Sequence, residues 1–220
     1  MFDRADEQLA ALLRVVAPAA APADGALFAH TDFMSADGMQ TAIFGPAFWF
    51  TIHLVSFNYP VDVPIDGRAE VRSKYRSWLW SLASVLPCRY CRDNFGPNVE
   101  QTLARMRALY PSLSASDDEF YLQDRDTFSR FCYHLHETVN TMLDKPTPMS
   151  FEQVRERYEG MRSRCLTKDE ELAARERGEA GCTQPLYAAA KGKCVIHIVP
   201  REVQCDSLKI AEECQIHRRQ

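Results

Sequence analysis

The strongest constraint on this chain is a helical repeat of apolar residues that runs, with short breaks, from residue 41 to 162. In "FGPAFWFTIHLVSFNYP", Phe48, Ile52, Val55 and Tyr59 recur three or four apart, the spacing of one helix face. Pro46 suits a first helical position and Pro60 marks the end. Trp49, His53 and Phe57 form a second stripe beside the first. A second helix is expected over 68 to 86, on Tyr75, Trp78, Leu79, Leu82 and Leu86. A third starts at Pro87-Cys88 and runs through Phe95, Val99, Thr102, Met106 and Leu109 to the turn-rich "YPSLSASDD". A fourth opens in "DRDTF", where acidic residues suit the positive end of a helix. It buries Phe128, Phe131, Cys132, Leu135, Val139 and Met142. A short fifth, "SFEQVRERYEGM", follows Ser150 as N-cap. Long helices joined by short loops predict an all-α four-helix bundle plus a short fifth helix.

The flanks differ from this middle. Residues 4–16 carry Leu9, Leu12, Leu13 and Val16 on one side of a short helix, and "APAAAPADGA" reads as a linker. Beyond 162, "RCLTKDEELAARERG" reads as a charged helix, "KCVIHIVP" as a short strand and "CDSLKIAEECQIHRRQ" as another helix. The chain thus divides into three regions: 1–40, a helix and linker; 41–162, the bundle; and 163–220, a small α/β or irregular extension that carries cysteines. With 46% apolar and 25% charged residues and a net charge of −4, the chain has an ordinary globular composition, and no basic run points to nucleic acid. No apolar run is long enough for a membrane span. "MFDRADEQLAALLRVV" is acidic where a signal peptide is basic, so no export signal is expected, and it lacks the Arg-rich cast of a transit peptide.

Eight cysteines are many for a chain without an export signal: 88, 91, 132, 165, 182, 194, 205 and 214. "VLPCRYC" holds a C-x-x-C, a spacing shared by zinc sites, structural disulfides and redox pairs. At the start of a helix the partial positive charge stabilises a thiolate, and Arg89 and Arg92 add cationic groups. Cys88 is expected at the exposed mouth and Cys91 one turn inside. Zinc needs two further ligands, and Cys132 with His134 or His136 is the compact candidate. That set lacks the second knuckle of a zinc site, and no strand precedes the pair as in thioredoxin-like motifs. Tyr133, His136 and Asn140 form a polar stripe on the fourth helix, and Trp49 and His53 another on the first. Together they make an aromatic and imidazole platform suited to a planar redox cofactor.

In this order, "GPAFWFTIH", "NYP", "LPCRYC", "YHLHETVNTMLDK" and "RY" resemble the ERV/ALR family of FAD-dependent sulfhydryl oxidases. The family pattern is G-R-x-x-W-x-x-x-H, Y-P, P-C-x-x-C, C-x-x-H-N-x-V-N-x-x-L-x-K and R-W. The resemblance implies a helical bundle that binds FAD noncovalently, with the isoalloxazine ring against the C-x-x-C. It places Gly45, Trp49, His53 and Phe57 on the cofactor, together with His136, Val139, Asn140, Lys145, Arg157 and Tyr158; Tyr133 is grouped with them through the stripe it shares with His136. Cys91 matches the inner cysteine beside the flavin, and Cys88 the outer one that exchanges with substrate. The implied reaction oxidises protein dithiols, or a thioredoxin-like carrier, and passes electrons to oxygen to give hydrogen peroxide. Cytochrome c replaces oxygen in some relatives. A homodimer through the first two helices is also implied. So is a location in host cytoplasm or virion for a viral member, or in the mitochondrial intermembrane space for a cellular one.

The departures are informative. Pro46 stands where the family has arginine, Glu137 where it has asparagine, and Tyr158 where it has tryptophan. Tyr133 and Ser150 occupy the positions of the family's structural disulfide, and Cys132 is expected as a small buried residue. No cysteine precedes Cys88, so any shuttle pair lies among Cys165, Cys182, Cys194, Cys205 and Cys214; these read equally well as structural bridges. These departures and the cysteine-bearing tail resemble divergent viral and protist members.

Overall fold

A computed structural model describes residues 37–115, 117–146, 149–179, 181–187, 190–203 and 209–214. The chain divides into two units, residues 1–38 and 39–220, and the second carries the helices and strands of the described residues. The expected helix at 4–16, the linker after it and Cys205 lie outside the described residues.

Four long helices make the body: α1 (Thr41–Phe57), α2 (Arg68–Val85), α3 (Arg89–Leu109) and, after the single turn α4 (Pro111–Ser114), α5 (Arg125–Met142). α5 packs on both α1 and α3, and α2 packs on α3. The core is aromatic where these helices meet: Phe120, Phe128 and Phe131 are fully buried, with Leu79, Val99, Met106 and Leu135 around them. Burial of such side chains is the main stabilising term, about 2 kcal/mol for each large apolar group removed from water. Several polar groups inside are paired across elements. Thr102 and Thr138 hydroxyls join α3 to α5 at 2.9 Å, and the Tyr59 hydroxyl donates to the Leu122 carbonyl at 2.7 Å. Cys132 is fully buried beside the Ser56 hydroxyl, the small core residue expected.

Helix ends follow local chemistry. Asp124 starts α5 with a capping box to Thr127, and Ser150 starts α6 (Phe151–Glu159) with one to Gln153. Pro46 is not the first helical residue, because the preceding five residues are already helical; it sits inside α1, where its missing N–H leaves the Ala42 carbonyl without its usual donor. Leu109 and Met142 are exposed rather than buried, since each falls at the last turn of its helix, beyond the neighbouring helix. Val139 is half-buried and Thr138 takes the inward position. "YPSLSASDD" is less irregular than its composition indicates, supplying α4 before the 3-10 turn Phe120–Leu122.

The extension departs most from expectation. Its charged helix forms as α7 (Lys168–Glu176), capped by Thr167 and Glu170. "KCVIHIVP" has no regular structure; Val195, Ile196 and Ile198 are two-thirds exposed, with no neighbouring strand among the described residues to pair with. The strands are instead β1 (Ser163–Cys165) and β2 (Thr183–Pro185), an antiparallel ribbon around α7. The last expected helix is reduced, among the described residues, to the 3-10 turn Glu212–Cys214.

α6 is held without a covalent bridge. The Tyr133 hydroxyl, on α5, donates to the Met149 carbonyl at 3.0 Å and lies 2.8 Å from the Glu137 carboxylate. Its ring meets Phe151 edge-on, and the Arg130 guanidinium lies 4.2 Å over the same Phe151 ring. Burial, then the Glu137 carboxylate, push the Tyr133 hydroxyl up to about 12, so it remains a donor at neutral pH. Tyr133→Phe is therefore expected to destabilise the protein by about 1–2 kcal/mol, read as a lower urea midpoint with an unchanged slope.

Candidate functional site

The disulfide forms where α2 turns into α3. Cys88 and Cys91 are bonded to each other, with Cα atoms 5.2 Å apart. Cys88 is the N-cap of α3, and its sulfur accepts from the Cys91 backbone N–H at 3.2 Å. One of the helix's otherwise unpaired N–H groups thus points at sulfur, the arrangement that favours a thiolate there. The Arg92 guanidinium is 2.6 Å from the Leu86 carbonyl, bracing the turn from the other side.

Exposure at the pair is the reverse of that expected. Cys88 is 8% exposed, whereas Cys91 is half-buried. The segment entering α1 lies beside Cys88, where the Met39 N–H donates to the Pro87 carbonyl at 2.6 Å. That contact, between residues far apart in sequence, had no local signal.

A second constellation lies further along α1. Trp49 stacks on His136 of α5, with ring centroids 4.0 Å apart and planes within 5°. His53 Nε2 and His136 Nδ1 are 3.1 Å apart, so one ring donates to the other. Tyr158 of α6 stands 5.2 Å from His53 and 5.3 Å from Phe57, nearly parallel to the latter. Phe50, unmarked by the helical pattern, flanks Tyr158 at 5.8 Å. Three helices thus bring together Trp49, His53, Phe57, His136 and Tyr158, five of the residues singled out in the sequence.

The rest of that set is distributed around the cluster. Lys145 is close enough for its charge to act on His136, and Arg157 acts likewise on Tyr158. Lys145 is brought back by a tight turn in which its N–H donates to the Asn140 carbonyl at 2.8 Å and Asp144 takes a φ of 51°. Val139 and Asn140 are half-buried one turn beyond His136. A side chain added at Gly45 would meet nothing within 4 Å. Tyr133 is the exception, since its hydroxyl is engaged at Met149 and Glu137 and its ring at Phe151.

Burial sets the electrostatics. His53 is pushed down to about 3 by burial and then by His136; His136 is lowered to about 4 by burial and then by Lys145. Both imidazoles are neutral at physiological pH. His53 Nδ1 is buried with no hydrogen-bond partner. In either tautomer that atom is an unsatisfied donor or acceptor, which is costly unless a ligand completes it.

The remaining cysteines and histidines do not assemble. Among the described residues no group of three or more His, Cys, Asp and Glu side chains is placed to hold a metal ion. His134 turns to Glu137 at 3.4 Å rather than to Cys132. Cys165, Cys182, Cys194 and Cys214 are unpaired thiols. Cys165 faces Thr183 across the ribbon, while the Cys182 carbonyl accepts from Leu166, so the two side chains leave opposite faces and cannot bridge in this register. No helix among the described residues is long and apolar enough to cross a membrane.

The sequence profile of the Erv1/Alr family matches residues 46–159, which take in the disulfide and the cradle from Trp49 to Tyr158. The chain belongs to the Erv1/Alr family. A relative from Invertebrate iridescent virus 6, whose name describes an FAD-linked sulfhydryl oxidase (347L), is 28% identical over 105 residues, covering 47% of this chain and 82% of the viral one. The Erv1/Alr match begins at Pro46 and ends with α6, leaving the ribbon and α7 outside the family region.

The neutral imidazoles give a pH dependence of stability. Unfolded histidines take up protons below about 6.5, whereas His136 and His53 in the fold do so only near 4 and 3. Unfolding therefore binds protons in this window, and stability is full above it and falls as the pH drops through it. Between pH 7 and pH 5 each imidazole is expected to remove about 2 kcal/mol. Urea titrations at the two pH values check this, and His53→Gln is expected to abolish about half of the histidine-linked loss.

Proposed function

We propose that this protein is an FAD-dependent thiol oxidase that makes disulfides in protein dithiols through Cys88 and Cys91 and delivers the electrons to oxygen, giving hydrogen peroxide. The observation that carries the reading is a disulfide at a helix N-terminus on the same helical frame as a neutral imidazole and aromatic cradle.

The residues present fit FAD. His53 Nδ1 is a buried polar atom awaiting a partner, and Gly45 leaves α1 backbone open to close approach. Lys145 and Arg157 supply positive charge beside the cradle for a diphosphate. α1 gives the scale. Met39, two residues before α1, touches the disulfide turn; from the start of α1 at Thr41, Trp49 lies about 12 Å along the axis and Phe57 about 24 Å. One small ring cannot reach both ends, but a dinucleotide with two ring systems can. We assign Trp49, His53, Phe57, His136, Val139, Asn140 and Tyr158 to its far end, with Gly45 on the way to the disulfide.

The chain's own chemistry is balanced in sulfur and electrons. A substrate thiolate attacks Cys88 Sγ; the bond between the Cys88 and Cys91 sulfurs breaks and Cys91 leaves as thiolate. A second substrate thiolate attacks the substrate sulfur of the mixed disulfide and releases Cys88, whose negative charge is held by the Cys91 N–H and the α3 N-terminus. The substrate is oxidised by two electrons and the pair reduced by two. Bound FAD supplies the two-electron acceptor that restores the disulfide and reduces oxygen. Ile43, Leu54 and Trp80, apolar and partly exposed on α1 and α2, support a homodimer through these helices.

The purified protein is expected to be yellow with a flavin spectrum and to consume oxygen with dithiothreitol. Cys91→Ser is expected to keep the colour and lose turnover by about a thousandfold or more. A colourless protein that binds no added FAD, or a Cys91→Ser variant with wild-type oxygen uptake, defeats the assignment. Gly45→Ala makes a second, opposed pair of expectations. Nothing in the protein meets the new methyl, so the helix gains up to about 1 kcal/mol, while FAD affinity falls if the nucleotide passes over this backbone. Thermal melting and flavin fluorescence titration read the two effects separately.

A further inference from the structure

Arg162 lies just beyond α6 and beyond the family region, yet it touches three elements at once. Its guanidinium meets both oxygens of Glu159, the last residue of α6: Nε to Oε2 at 2.5 Å and Nη2 to Oε1 at 2.6 Å. Nη2 also donates to the Phe57 carbonyl at 2.6 Å. Phe57 is the last residue of α1, and its carbonyl is among those that have no partner within the helix. A cation there also faces the negative end of the α1 dipole. The Arg162 carbonyl accepts from the Leu186 N–H at 2.8 Å, so the ribbon hangs on the same residue.

We propose that Arg162 is a positioning residue that clasps the end of α1 to the end of α6 and thereby holds Tyr158 against His53 and Phe57. As a statement about flavin binding this rests on the oxidase reading; as a statement about the aromatic wall it does not. The two helices meet here without a covalent link, and α6 is only nine residues long, too short to hold a fixed angle by itself. The Tyr133 clip secures its start, and the Arg162 fork secures its end. The ion pair is partly shielded, at 19% and 28% side-chain exposure, and its bidentate geometry sets it apart from an ordinary surface pair. The bond to Arg162 holds the Glu159 carboxyl below its usual range, so the clasp is closed at neutral pH.

Arg72 provides a control of similar shielding. Its Nη1 donates to the Asp117 carboxylate at 2.6 Å, with 24% and 31% side-chain exposure, from α2, outside the three helices that carry the cradle. The test uses the full chain and compares Arg162→Ala, Arg162→Lys, Glu159→Gln and Arg72→Ala. Two readouts are taken: NMR titration of the His53 imidazole before FAD is added, and the FAD dissociation constant. With Arg162→Ala, water reaches the wall, so His53 is expected to titrate about one unit or more higher. FAD binding weakens about tenfold or more, consistent with the loss of charged hydrogen bonds. Glu159→Gln moves both readouts the same way by less. Arg162→Lys recovers part of each, because the charge returns without the planar fork. Arg72→Ala is expected to lower the melting temperature and leave both readouts at wild type. The clasp is overturned if His53 titrates as wild type in Arg162→Ala and Glu159→Gln, or if Arg72→Ala shifts it equally. Should the wild type bind no FAD, the oxidase reading fails, and the His53 titration still decides the clasp.

Discussion

The site depends on one buried contact, the hydrogen bond between His53 and His136, covered on one side by Trp49. It joins α1 to α5, the helices that carry most of the cradle, and it does so with groups that burial keeps uncharged. A charged imidazole in this position would need a counter-ion; a neutral pair needs only one proton shared along a line. That leaves His53 Nδ1 without a partner, which an apolar substitute would have avoided. A fold selected for stability alone has no use for such an atom, whereas a fold that receives a ligand does.

The rest of the architecture keeps that contact in place by short-range means. α6 brings Tyr158 to the wall, and in the absence of a disulfide it is secured by the Tyr133 hydroxyl, the Arg130–Phe151 contact and the Arg162 fork. Each is worth little beside a covalent bridge, which typically contributes a few kcal/mol by restricting the unfolded chain. Distributed over both ends of a nine-residue helix, they fix its direction as well as its position. The Cys88–Cys91 bond sits in a frame that holds no second disulfide among the described residues with which it could exchange.

Most of the bundle was legible because its signals are local. The 3.6-residue period located α1, α2, α3 and α5, and the acidic and serine caps at Asp124 and Ser150 located two helix starts. The cradle was legible as stripes, since residues four apart on a helix share a side whatever their neighbours are. What failed was non-local. "KCVIHIVP" has a strand's composition, but a strand is stabilised by partners, and no described segment pairs with it. The order of exposure at Cys88 and Cys91 depends on Met39, and the role of Arg162 on Phe57, contacts that span dozens of residues and leave no periodic trace. Tyr133 was grouped with the cofactor residues because it shares a stripe with His136, yet its hydroxyl is long enough to leave that stripe and reach Met149.

The proposed division of labour between the two cysteines rests on the helix rather than on depth. The N-cap position belongs to Cys88, so the Cys91 N–H and the positive end of α3 bear on the sulfur to which the proposed mechanism gives the exchange with substrate. A better leaving sulfur speeds the release of the oxidised substrate. Cys91 lies within the first turn, with its own N–H committed to Cys88 and no cap of its own. The two sulfurs therefore differ in their surroundings, and a single backbone N–H is enough to set that difference.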